Sequence, residues 1–241
     1  MPPVPDSRIP KTYRVRVALF VVATVLLLLL LGYLYQGIQT LNALDQIESE
    51  RDHWQRPPDV IQALNVHDGS VVVDFGCGVG CFVLKLSLVG KRGSVVAEDI
   101  RRESLIFLRI RAFLRCQHNV NTIRGETDDP RLPVGFVDAI LIANTYHELT
   151  EPKPILSHLA DTLKPGGSLV IVDRGPRSGP VESREKQEEH HELRLDLVET
   201  EVRNADFEIT SPAEPAMQFF IGAGEIIRFR SLCPDYALTT I

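Results

Sequence analysis

The sequence predicts an α/β fold: a Rossmann-like, doubly wound, mostly parallel seven-stranded sheet with an antiparallel C-terminal edge hairpin, preceded by one transmembrane helix. Short apolar runs alternate with helical segments, which is typical of βαβ units. A glycine-rich turn follows the first of these runs. An uncharged segment of about 19 residues precedes them, near the amino terminus.

The amino-terminal segment from Val17 to Tyr35 is long enough to cross a bilayer as a helix. A single-pass anchor fits this length, and a cleaved signal peptide is the alternative, although no convincing cleavage site follows. Four basic residues precede the run, so the positive-inside rule places the amino terminus in the cytoplasm. The predicted divisions are a basic tail at 1–14, a transmembrane helix at 15–36, a juxtamembrane linker or helix at 37–57, a folded domain at 58–230 and a tail at 231–241.

The predicted elements of the folded domain follow in order. Pro57-Pro58 should end the juxtamembrane helix, and Asp59 should cap a short helix at 60–64. Strands are predicted at 71–75, 94–97, 120–123, 137–143, 168–173, 207–210 and 217–229. Helices are predicted at 82–89, 104–115, 154–163 and 182–204, with a turn at 164–167. The last two strands have no helix between them, which predicts the antiparallel hairpin.

The glycine-rich turn carries the first candidate site. Gly76, Gly78 and Gly80 follow the first strand, and Asp74 lies two residues before them. Such a turn lets the backbone approach a ligand closely and presents N–H groups at the start of a helix. A dinucleotide fingerprint requires a glycine at position 81, which is a cysteine, and no Gly-Lys-Ser/Thr follows for a P-loop.

A second acidic position lies at the end of the second strand, where Glu98 and Asp99 are adjacent. An acid at this point can bind both hydroxyls of a ribose. The carboxyl ends of parallel strands meet at one edge of the sheet, so these acids and Asp74 should converge on one site.

Other features restrict the function. Formal net charge is −6, which gives no footprint for nucleic acid over the whole surface. The cysteines at 77, 81, 116 and 233 form no CxxC pair, and no His/Cys spacing is typical of zinc, so no metal is expected.

Together these motifs resemble the class I S-adenosylmethionine-dependent methyltransferases over about residues 52–230. The resemblance is carried, in order, by VVDFGCGVG, AEDI, DDPRLP, VDAILIANTYHEL and LKPGGSLVIVD. The segment RDHWQRPP at 51–58 resembles the lead-in of a bacterial, membrane-anchored branch. The resemblance implies S-adenosyl-L-methionine as cofactor and direct transfer of its sulfonium methyl group to an unidentified acceptor.

The resemblance also implies roles for individual residues. Cofactor contacts are expected at Asp74, Gly76, Cys77, Gly78, Gly80, Asp99, Glu126, Asp128 and Asn144. The first five would hold the methionine part, Asp99 the ribose, and Glu126, Thr127 and Asp128 the adenine; Glu98 leaves a one-residue ambiguity for the ribose. Family members often line the reacting centre with the residues that follow the fourth strand, here Asn144, Tyr146, His147 and Glu148. His147 and Tyr146 are the catalytic candidates. The alternatives are that His147 and Glu148 cap or flank the next helix and that Tyr146 packs at the sheet edge.

The acceptor stays open. A small molecule or lipid is slightly favoured over a protein because of the apolar anchor, and no nucleic acid is expected. A non-catalytic, membrane-tethered binding module is the alternative function. The side of the membrane on which the domain lies also stays open, because adenosylmethionine is a cytoplasmic metabolite while the charge rule places the domain outside.

Overall fold

The computed structural model describes residues 11–89, 92–174, 186, 189, 194–209 and 224–231. The chain divides into two compact units, Met1–Ile47 and Glu48–Ile241.

The first unit contains most of helix α1, Lys11–Gln55. One helix in the described part of the chain, Thr12–His53, is long and apolar enough to cross a membrane, a test that a signal sequence also passes. The predicted transmembrane and juxtamembrane segments form this single helix. No proline interrupts it, and isolated glycines at 32 and 37 are tolerated within a helix.

The prediction that Pro57-Pro58 ends a helix and that Asp59 caps the next one was wrong in detail. The two prolines begin helix α2, Pro57–Leu64. Proline suits the first turn of a helix, where its missing N–H has no helical partner. The break falls instead at Arg56, whose backbone is left-handed with φ 47°. Asp59 lies inside the first turn and forms a salt bridge with Arg56.

The sheet of the second unit has the order β3-β2-β1-β4-β5-β7-β6. Its strands are β1 Val71–Phe75, β2 Ser94–Asp99, β3 Val120–Arg124, β4 Val137–Ala143, β5 Leu163–Arg174, β6 Phe207–Ile209 and β7 Gly224–Ser231. Strands β1 to β5 are parallel, which confirms the predicted doubly wound sheet. Strand β7 is antiparallel to both β5 and β6. The predicted strand at 217–229 begins at Gly224 within the described residues, and 217–223 lie outside them.

Helices pack on both faces of this sheet. They are α3 Val83–Val89, α4 Arg102–Leu114, α5 Pro152–Thr162 and α6 Leu195–Arg203, with a 3₁₀ turn at Tyr146–Glu148. One apolar core joins the sheet to α5 and α6, and the other joins it to α2, α3 and α4. Part of the predicted helix at 182–204 lies outside the described residues, and α6 forms near its described end.

The Lys-Pro-Gly-Gly segment at 164–167, predicted as a turn before the fifth strand, lies inside β5. Register passes from Val137 paired with Leu163 to Ala139 paired with Ser168, so the four residues form an irregularity in the strand. Gly166 adopts φ 76° there, a conformation that favours glycine. The fifth strand therefore begins at Leu163 and not at Ser168, and it pairs with β4 on both sides of this irregularity.

A buried ion cluster joins the end of α1 to the glycine-rich side of the sheet. Glu48 accepts hydrogen bonds from Lys85 at 2.6 Å, from Arg115 at 3.2 Å and from the buried Arg111. Arg111 also donates to the carbonyl of Val79 at 2.7 Å. Burial alone would raise the pKa of Glu48, but the hydrogen bonds from Lys85 and Arg115 outweigh it and leave this pKa below its usual value.

We predict that Glu48→Gln destabilises the folded domain by about 3–5 kcal/mol, because it leaves the buried Arg111 without its charge partner. Urea unfolding of the 241-residue chain in a mild detergent measures the change at pH 7. The lowered pKa adds a pH dependence: the stabilisation by Glu48 is present above its unfolded pKa and is lost as pH falls through the folded value.

The control is Glu103→Gln, which removes an exposed carboxyl from the first turn of α4. This variant should change stability by less than about 1 kcal/mol. Equal effects of the two substitutions would contradict a role for the buried cluster.

Candidate functional site

A cavity of about 400 Å³ opens at the carboxyl ends of β1, β2 and β4. Strand order reverses between β1 and β4. Strands β2 and β3 lie on one side of β1, and strands β4 and β5 lie on its other side. Ligands of open α/β sheets bind at such a switch point. The fold therefore places the cavity where a cofactor is expected.

The glycine-rich turn forms the floor of this cavity, and its three glycines, all with positive φ, meet different surroundings. A Cβ added at Gly76 would lie 2.2 Å from Thr145 Cγ2, and one at Gly80 would lie 2.2 Å from Leu108 Cδ1. Gly78 has no such neighbour within 4 Å and lines the cavity. Gly76 and Gly80 thus permit close packing, while Gly78 leaves open space against its backbone. Gly80 itself is not among the cavity-lining residues.

The acids at the end of β2, Glu98 and Asp99, hold this turn in place. Asp99 Oδ2 accepts a hydrogen bond from Gly78 N at 2.8 Å, and Oδ1 accepts one from Arg101 N at 2.7 Å. Glu98 Oε2 accepts a longer bond from Gly76 N at 3.3 Å. Its other oxygen, Oε1, is buried without a hydrogen-bond partner among the described residues. Asp99 is therefore the better fixed of the two carboxylates, which favours it for the predicted ribose contact.

Two of the three acids at the cavity floor carry raised pKa values. Burial, strengthened by the charge of Asp99, raises the pKa of Asp74 to about 8. Burial likewise raises the pKa of Glu98 to about 8, against a lowering hydrogen bond from Gly76. The two acids are thus largely protonated at neutral pH in the absence of a ligand. A cation in the cavity would favour their ionised forms.

The three residues predicted to contact the adenine do not all line the cavity. Glu126 and Thr127 line the cavity, and Glu126 forms a salt bridge with Arg131. Asp128 is exposed and is not among the lining residues. The geometry therefore favours Glu126 and Thr127, which lie after β3, for this part of the ligand.

The two catalytic candidates, Tyr146 and His147, do not line the cavity. Tyr146 is fully buried and donates to Glu201 Oε2 at 2.7 Å. His147 is 6% exposed, and its Nδ1 lies 2.8 Å from Asp173 Oδ1. Its backbone N–H donates to the same carboxylate at 3.0 Å. The structure thus gives both side chains partners inside the protein, in place of the predicted contact with the reacting centre.

Residues next to this pair do reach the cavity. Asn144, with φ 52°, and Glu148 both line it, as the position after β4 predicted. Thr145 also lines it and donates from its hydroxyl to the carbonyl of Gly76 at 3.1 Å. Cys77 lines it as well, and burial raises the pKa of its thiol well above the usual value, so the thiol stays protonated.

Several lining residues have no role predicted from the sequence. They include Arg51, Gln55, Cys81, Arg101, Leu149 and Thr150. The first two lie on the end of α1, in the segment that was noted only for its resemblance to a lead-in.

Comparisons with known proteins bear on this site. A family model described as "Methyltransferase domain" matches residues 73–171. The chain is 22% identical over 149 residues to a demethylmenaquinone methyltransferase of Shouchella clausii, covering 61% of this chain and 62% of that protein. It is 31% identical over 125 residues to a ubiquinone/menaquinone biosynthesis C-methyltransferase of Erwinia tasmaniensis, covering 50% and 48%. The chain thus spans about half to three fifths of the length of these relatives.

Among solved structures, a SAM-dependent methyltransferase from Aquifex aeolicus superposes with a TM-score of 0.66 at 23% identity. The match covers 79% of this chain and 97% of that one. Residues 73–171 thus match a methyltransferase domain, and the chain has the fold of S-adenosylmethionine-dependent methyltransferases. The cofactor of such enzymes is adenosylmethionine.

The cavity fits this cofactor. Open space at Gly78 lets a ligand approach the backbone closely, and a side chain there would fill that space. The buried acids Asp74 and Glu98 suit the two positive charges of an adenosylmethionine, its ammonium and its sulfonium.

We predict that Glu98→Gln stabilises the ligand-free protein at pH 9 and has a much smaller effect at pH 5. The folded pKa of Glu98, about 8, lies above the ordinary value of 4.5. Stability from the protonated carboxyl is therefore fully present below about pH 4.5 and is lost as pH rises towards 8. Glutamine stays neutral throughout. Thermal unfolding of the two proteins across this range measures the difference, and parallel pH profiles would contradict it.

Proposed function

We propose that this protein transfers the methyl group of S-adenosylmethionine to a small-molecule acceptor. The observation that carries the proposal is the bond between Asp99 and Gly78 N at the floor of a cavity at the switch point of the sheet. It places a fixed carboxylate beside open backbone, as binding of a ribose and of the adjoining methionine chain requires.

The cofactor supplies an electrophilic methyl on a sulfonium, and the chain supplies alignment. Bringing two reactants into line can account for much of a displacement reaction. Gly78 and Asp99 would orient the cofactor, while Glu148, Leu149 and Thr150 line the same cavity from the segment after β4. Of these, Glu148 can accept a proton from the acceptor as the methyl group is transferred.

We further propose that the acceptor is a quinol-type aromatic small molecule. The two relatives are named for demethylmenaquinone and for ubiquinone and menaquinone biosynthesis. An apolar helix of the length described above is consistent with an acceptor that partitions into membranes. A binding module without turnover is the second candidate, favoured by the internal partners of Tyr146 and His147.

We predict that the 241-residue chain in a mild detergent binds adenosylmethionine and adenosylhomocysteine in calorimetry. Asp99→Asn should weaken binding of both by about tenfold or more, since a neutral amide loses the charge-assisted hydrogen bonds to a diol. Asp161→Asn, an exposed change on α5, should leave affinity unchanged.

The same preparation distinguishes the two candidate functions. With isotopically labelled adenosylmethionine and a reduced demethyl-naphthoquinone, an enzyme produces labelled quinol and adenosylhomocysteine in equal amounts. Binding without label transfer to any quinol would favour the binding module. No binding of cofactor by the folded protein would reject both.

We also propose that the helix at 15–36 anchors the protein in a membrane with a cytoplasmic amino terminus. We expect the full chain to remain in the membrane fraction after washing with alkaline carbonate. Reporter fusions at each end then give the orientation. Release of the chain into the soluble fraction, or a mature amino terminus beyond residue 36, would contradict an anchor and support a cleaved signal.

A further inference from the structure

The charges that line the cavity are unevenly distributed. Five lining residues are acidic: Asp74, Glu98, Asp99, Glu126 and Glu148. Within the described part of the chain, two lining residues are basic, Arg51 and Arg101. The surroundings therefore favour cationic groups of a ligand and oppose anionic ones, except close to an arginine.

The amino-acid end of adenosylmethionine carries both kinds of charge. Its ammonium suits the buried acids at the end of β1 and β2. Its α-carboxylate would be repelled by the same acids and needs a cation or several N–H donors to offset them. One of the two arginines is the natural partner, because a guanidinium binds a carboxylate through two parallel hydrogen bonds.

Arg101 is already engaged by the acid assigned to the ribose. Its Nε lies 3.6 Å from Asp99 Oδ1, and its backbone N–H donates to the same oxygen. It therefore belongs to the ribose end of the cavity. Arg51 forms no hydrogen bond or ion pair with a described residue, although it lines the same cavity. Its charge acts on Cys81, just after the glycine turn, where it lowers a thiol pKa that burial raises.

The position of Arg51 is fixed by its own helix. Glu48, one turn earlier, is held by Lys85, Arg111 and Arg115. Gln55, one turn later, is buried and lines the cavity. The backbone between these two residues is thus clamped against the glycine-rich side of the sheet. The guanidinium is left available while its base is anchored, as a preorganised binding residue requires.

We propose that Arg51 binds the α-carboxylate of adenosylmethionine and so closes the methionine end of the cavity with the last two turns of α1. The assignment rests on the proposed function, since it names a contact to that cofactor. Arg51 is a binding residue in this proposal, and Glu48 is a positioning residue that acts through it.

The test pairs a residue with the ligand group that it would recognise. Affinities for adenosylmethionine and for decarboxylated adenosylmethionine are measured by calorimetry on the full chain and on Arg51→Gln. The wild-type protein should bind the intact cofactor about tenfold or more tightly than the decarboxylated one. Arg51→Gln should lose most of this preference through weaker binding of the intact cofactor, with the decarboxylated compound bound as before.

Two further variants complete the design. Arg51→Lys keeps the charge without the planar fork and should retain part of the preference. Arg101→Gln should weaken both ligands by the same factor, because it lies at the ribose end. Equal losses for both ligands in Arg51→Gln, or no loss for either, would overturn the assignment; in the second case an anionic acceptor becomes the partner to test. Failure of the wild-type protein to bind either compound would reject the proposed function itself.

Discussion

The hydrogen bond from Gly78 N to Asp99 joins the glycine-rich turn to the neighbouring strand, and most of the site depends on it. It connects the end of β1 to the end of β2 across the floor of the cavity. Cys77 N adds a bond to the carbonyl of Glu98 at 2.9 Å, and Gly76 N adds one to its carboxyl. The turn thus keeps a shape in which one glycine faces open space while its neighbours pack against Thr145 and Leu108.

This arrangement has an electrostatic consequence. Three acidic side chains, Asp74, Glu98 and Asp99, are buried at the ends of adjacent strands. Burial and the charge of Asp99 make ionisation of Asp74 and Glu98 costly, and the raised pKa values of these two acids express that cost. A ligand with two positive charges relieves it. The site therefore favours cationic ligands, and binding of such a ligand should release protons from Asp74 and Glu98 at neutral pH.

Much of the fold could be predicted from the sequence, for identifiable reasons. Apolar runs such as the one at 137–143 mark buried parallel strands, and the observed strand β4 has the same bounds. The glycine spacing and Asp99 predicted a site whose residues the structure brings together around one cavity. The predicted element boundaries were wrong where the same residues suit two structures. Pro57 and Pro58, for example, can follow one helix or begin another. The Lys-Pro-Gly-Gly segment has turn chemistry and is nonetheless held by pairing with β4.

The catalytic prediction differed from the structure for a different reason. Neighbouring residues after a strand point in different directions, so a sequence cannot tell which of the five successive polar side chains from Asn144 to Glu148 faces a ligand. Asn144, Thr145 and Glu148 reach the cavity, whereas His147 turns towards Asp173 on the next strand. Tyr146 turns towards Glu201 on α6, some 55 positions away. Partners so distant in sequence leave no local signal.

The end of α1 shows how a long-range ion cluster can complete a site that local motifs leave open. A sheet edge rich in acids binds the ammonium and sulfonium of a cofactor well and its carboxylate poorly. A cation supplied from the strands would have to lie among those acids and would pair with them, as Arg101 pairs with Asp99. Arg51 comes from outside the sheet, on helix α1. The ion pairs of this helix with the sheet side of the domain are made one turn earlier, by Glu48 with Lys85 and Arg111. Because Lys85, Arg111 and Arg115 pair with Glu48, the Arg51 guanidinium three residues later can bind a ligand at the glycine turn.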